Sequence, residues 1–61
     1  MKINNIPDYA KEKKYIVYRE VNDENWFYGA FNDLCKAAMS AGAVNGRLVE
    51  NDEKIECGER L

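Results

Sequence analysis

Sixty-one residues with 11 acids, 9 bases and no histidine allow one domain, 1–61, whose single core buries only about 60% of the surface the unfolded chain exposes. Chains this small rely on disulfides, a metal, self-association or close packing. Cys35 and Cys57 are the only thiols, so no zinc site of four Cys or His ligands assembles within one chain, and neither a metal nor a cofactor is expected. A net charge of −2 does not supply the general attraction to phosphate backbones that nucleic-acid binders show.

The opening residues hold no long apolar stretch, so neither a signal peptide nor a membrane span is predicted, and a cytoplasmic protein is expected. The sparse cysteines agree with that compartment: they read as reduced, small, buried hydrophobes, with a Cys35–Cys57 bridge as the alternative. Pro7 removes a backbone donor and pushes Ile6 out of helical geometry, so residues 1–13 read as an irregular arm that docks through Ile3, Ile6 or Tyr9.

From Tyr15 to Val21 the run is β-branched and aromatic, the composition of a pleated surface, and it ends at Asn22-Asp23-Glu24-Asn25, a turn-forming cluster. Trp26 to Phe31 reads as the returning strand of a hairpin with a four-residue connection. The period then changes to helical, with Leu34, Ala38, Ala41 and Val44 or Asn45 on one stripe and Asn32 or Asp33 as N-cap. Gly46 is the preferred helix end, with Gly42 as the alternative and Asn45-Gly46 as a separate hairpin turn the other. Arg47–Glu50 and Glu53–Cys57 suggest a second hairpin about Asn51-Asp52. The predicted fold is a small two-layer α+β domain, ββαββ, with one helix packed on a mostly antiparallel sheet.

Function is expected in the first hairpin. Pairing Val21 with Trp26 sets Arg19 opposite Tyr28 and Val17 opposite Ala30, all on one side, and leaves Ile16, Tyr18, Phe27, Gly29 and Phe31 on the other. Phe27 and Phe31 have no polar atom that benefits from water, so their side is taken as the core beneath the helix. Arg19, Trp26, Tyr28 and Tyr15 are then outward candidates for a protein-binding surface, being residue types that combine contact area with a hydrogen-bonding tip. The plainer alternative is that Trp26 and Tyr28 pack within the domain, and for Tyr15 and Tyr18 that alternative is favoured. A one-residue slip would exchange the two sides.

Other functions have less support. Stacking of bases on sheet aromatics needs a basic groove, and only Lys11, Lys13, Lys14 and Arg19 cluster. The acids Glu50, Asp52, Glu53, Glu56 and Glu59 read as a solvated hairpin rather than a phosphate mimic. No histidine base and no glycine-rich phosphate loop is present, and a nucleophilic cysteine needs a cationic neighbour or base, so no enzyme is predicted. A non-enzymatic protein-binding module is the leading expectation. A small nucleic-acid-binding regulator and a subunit that self-associates along a sheet edge, as a homodimer for example, are the alternatives.

The hairpin Tyr15–Val21 and Trp26–Gly29, followed by a short helix from Asp33 to Asn45, resembles small orphan proteins encoded by phages and prophages of Gram-positive bacteria. That resemblance implies an inhibitor of a host enzyme or defence complex in the host cytoplasm, anti-CRISPR proteins being one such group. It transfers no role to an individual residue.

Overall fold

A computed structural model describes residues 1–52 and 54–60. In chain order it holds β1 (Lys2–Ile3), a 3₁₀ helix (Asp8–Glu12), β2 (Tyr15–Val21), β3 (Glu24–Phe31), α1 (Leu34–Ala43), β4 (Arg47–Glu50) and β5 (Glu56–Cys57). The helix packs on an antiparallel sheet of order β3-β2-β4, while β1 and β5 pair in parallel. This is a small α+β fold with one helix on a mostly antiparallel sheet.

The hairpin turns more tightly than the sequence predicts. Asn22 and Asp23 both have positive φ, 52° and 66°, which is the backbone of a two-residue type I′ turn whose twist matches the flanking strands. Glu24 and Asn25 therefore belong to β3, and the expected four-residue connection gives way to Val21 opposite Glu24 and Arg19 opposite Trp26. A second departure lies at Tyr28. The pairing passes from Tyr18↔Phe27 to Val17↔Gly29, so Tyr28 is an extra, bulged residue.

The bulge exchanges side-chain faces along one half of β3 only. Trp26 shares a face with Arg19 and Val21, and Phe27 shares the opposite face with Tyr18, as the sequence suggests. Beyond the bulge Phe31 moves to the face of Tyr15 and Val17, and Ala30 to that of Ile16, which corrects the expected grouping of Phe31 with Ile16, Tyr18 and Phe27. The helix covers this Tyr15 and Val17 face. Val17, Ala37 and Ala41 form its buried cluster, flanked by Tyr15, Phe31 and Leu48.

Residues 1–13, expected as an irregular arm, instead carry β1 and the 3₁₀ helix and line the sheet's other face. Ile3, Ile6 and Ala10 bury with Ile16 and Tyr18, against Phe27, Ala30, Val49 and Ile55. Pro7 sits at the head of the 3₁₀ helix, where its missing N–H costs no bond and its carbonyl accepts from Ala10 at 3.1 Å. The first residues also extend the sheet. The Asn4 N–H donates to the Asn25 carbonyl at 2.7 Å and the Phe27 N–H to the Asn4 carbonyl at 2.9 Å, beside an isolated bridge to Trp26.

The helix begins at the expected cap, with the Asp33 carboxylate accepting from the Cys35 and Lys36 N–H groups at 2.8 and 3.2 Å. It ends earlier than Gly46. The Gly46 N–H donates to Ala41 and the Asn45 N–H to Gly42, at 2.8 and 3.4 Å, and Asn45 rather than glycine takes the left-handed position, φ 54°. The predicted stripe is corrected in part: Ala41 faces the sheet as expected, but with Ala37 beside it, whereas Leu34, 53% exposed, and Ala38 face outward and Met39 is 74% exposed. Cys35 and Cys57, expected to be buried, are exposed free thiols.

No second hairpin closes between β4 and β5. The Asn51 amide donates to the carbonyls of Ala10 and Lys13 at 3.0 and 2.8 Å, tying the end of β4 to the 3₁₀ helix and directing the chain away from β4. Then β5 runs beside β1, with the Glu56 N–H donating to the Met1 carbonyl at 2.7 Å and the Gly58 N–H to the Ile3 carbonyl at 2.8 Å. Glu53, placed in the second hairpin by sequence reasoning, lies outside the described residues. Arg60 reaches Asp8 at 3.1 Å, and that hydrogen bond and charge raise the guanidinium pKa further above its ordinary value. No helix among the described residues is long and apolar enough to cross a membrane.

Candidate functional site

The helix covers only part of its face of the hairpin. Its end at Asn45-Gly46 stands over Tyr18 and Arg19, for a Cβ built on Gly46 would lie 2.7 Å from the Tyr18 carbonyl oxygen and 3.4 Å from Arg19 Cγ. Past that point the last residues of β2 and the first of β3 are less covered: Arg19, Val21 and Glu24 are exposed and Trp26 is half-buried.

Trp26 and Arg19 are direct cross-strand partners, yet the two side chains do not stack. Arg19 leans toward Gly46 and β4, and it forms no ion pair among the described residues. The ring contact in the domain is an edge-to-face pair of Tyr9 and Phe27, with centroids 6.3 Å apart, so the Trp26 indole keeps its faces free of other rings. Val21 is 44% exposed, and together with Asn22, Glu24 and Trp26 it lines an open cleft of about 350 Å³. Tyr28, 49% exposed at the bulge, lies two residues along β3 from Trp26.

Tyr15 does not join them. It stands at the far end of β2, four residues from Arg19 or about 13 Å at strand spacing, and packs half-buried against the Val17 cluster beneath the helix. Lys11, Lys13 and Lys14 lie at that same far end, so the basic cluster and Trp26 occupy opposite ends of the hairpin. The acids Glu50, Asp52, Glu56 and Glu59 do not share a hairpin, because β5 pairs with β1. Asp52 caps its own loop, accepting from the Lys54 N–H at 2.9 Å.

A second cleft, of about 370 Å³, opens where β4 and β5 fail to pair, between Ile6, Ala10, Ile16, Asn51 and Ile55. Its floor is the core itself, with Ala10 and Ile16 at no more than 1% exposure, and Lys11, Asp52 and Cys57 stand at its rim. Among the described residues, no group of three or more His, Cys, Asp or Glu side chains is placed to hold a metal ion. Sequence reasoning missed Val21 and Glu24 as site residues. The signal was the Asn-Asp pair, since both residue types tolerate the left-handed backbone that a two-residue turn needs. No protein-family model, curated protein or solved structure matches this chain.

Proposed function

We propose that this chain is a non-enzymatic protein-binding module whose contact surface centres on Trp26, with Val21, Tyr28 and Arg19 around it. The observation that carries this reading is an apolar patch of Val21, 44% exposed, beside a half-buried Trp26, neither of which belongs to the two core clusters. Aromatic anchors in such positions are what binding hot spots are made of. The resemblance to small phage-encoded proteins gives the partner a direction: an enzyme or defence complex of a host cell, blocked in its cytoplasm. The separation of Lys11, Lys13 and Lys14 from Trp26 supports a protein rather than a nucleic acid as that partner, because one strand of nucleic acid would have to meet aromatic and basic groups together.

The test compares the native chain with Trp26→Ala and Met39→Lys as baits in the cell that encodes it, each variant first shown to be folded by circular dichroism. Partners retained by the native chain and Met39→Lys but lost by Trp26→Ala support the reading. A folded Trp26→Ala chain that keeps every partner overturns it.

A further inference from the structure

We infer that the cleft beside Trp26 takes a cationic side chain, an arginine or lysine, from the partner protein. The inference rests on the proposed protein-binding role and adds the chemistry of recognition to it. The cleft is lined mainly by apolar surface, from Val21 and Trp26, and Glu24 is the acid that borders it. Val21 and Glu24 are cross-strand partners on the same face as Trp26, so Glu24 and the ring border one space. A lysine or arginine matches that pairing. Its methylene stem lies along apolar surface while its charged head keeps polar company, and the head is attracted both by a carboxylate and by the negative face of an indole.

The charges nearby leave this role open. Arg19, the base directly opposite Trp26, leans away toward Gly46 and does not line the cleft. Lys2 borders a separate hollow with Asp23, Glu24 and Asn25 and makes no ion pair with either acid. Glu20 points to the opposite face, beside Asn25, and Asp23 occupies the turn. Glu24 is thus the charged group of the cleft, unpaired among the described residues.

Trp26 is the chain's only tryptophan, so its emission reports occupancy directly. The full chain is titrated at constant ionic strength with acetylated tetra-arginine amide, with its neutral isostere tetra-citrulline amide, and with tetra-glutamate amide. A saturable change is expected for tetra-arginine, weaker by about five-fold in Glu24→Gln, which matches the loss of one exposed charge pair. Glu56→Gln, a control acid on β5, leaves the titration unchanged. Tetra-citrulline binding as tightly as tetra-arginine, Glu24→Gln binding as tightly as the native chain, or no saturable change with tetra-arginine overturns the inference. The two readings fail separately: loss of partners by Trp26→Ala with an emission blind to tetra-arginine sinks only the cationic occupant, whereas a folded Trp26→Ala chain that keeps every partner sinks the contact surface whatever the peptides do.

Discussion

Asn45 and Gly46 divide between them a task that sequence reasoning assigns to one glycine. The left-handed backbone that stops the helix falls on Asn45, one of the few residues other than glycine that visits that region routinely. Gly46 has ordinary φ and is required for a different reason, since a Cβ there would press on the Tyr18 carbonyl oxygen at 2.7 Å, a backbone atom that β2 holds in place. Gly46→Ala should therefore destabilise the fold by about 1–3 kcal/mol, the range for overpacking at a close approach, measured by urea unfolding. Stability equal to that of the native chain would show that the two segments separate freely. Asparagine before glycine marks a helix end in the sequence, but which of the two carries which constraint depends on how near β2 lies, and that is a tertiary distance.

For β2, β3 and α1, existence was legible and registry was not. The β-branched and aromatic run 15–21, the aromatic run 26–31, the Asp33 cap and the alanine-rich helix each follow from local composition, and each is present. Registry depends on whether Asn22-Asp23 closes the turn alone or with Glu24 and Asn25, and both solutions satisfy the same residue preferences. The bulge at Tyr28 carries no composition signal of its own, although it sends Phe31 to the helix and Phe27 to the other core. Trp26 kept its predicted face because the shorter turn shifts the pairing by a whole period of side-chain alternation. Asp23→Gly tests the turn. With φ 66° at that position, glycine relieves the left-handed strain and should raise stability by about 0.5 kcal/mol, the gain being offset in part by greater freedom of the unfolded chain. A loss of stability would argue against a type I′ turn.

At the scale of the molecule, the sheet is enclosed from both sides, and the second enclosure is what the sequence concealed. Residues 1–13 show neither helical nor alternating periodicity, because Ile3, Ile6 and Ala10 reach the core from a short strand, a turn and a 3₁₀ helix in succession. No single period describes three kinds of backbone. Their energetic weight is nonetheless that of a core: Ile3 is fully buried, and Ile3→Ala should cost about 2–5 kcal/mol. Since a domain of this size has about 3–5 kcal/mol in all, the variant should be largely unfolded at room temperature by circular dichroism. Retention of a cooperative transition close to that of the native chain would return these residues to the status of an arm.

The parallel pairing of β1 with β5 also sets a schedule. Lys2 meets Glu56 and Ile3 meets Cys57, so this pair joins segments more than fifty residues apart. The hairpin and helix are local and close early, on one face of the sheet. The other face, with Ile16 and Tyr18, is covered by segments far apart in sequence: the first residues, which bond β3 through Asn4, and residues 55–58, which bond β1 in turn. Contacts of such long sequence separation slow folding, so the face that needs them is expected to close after the hairpin and the helix.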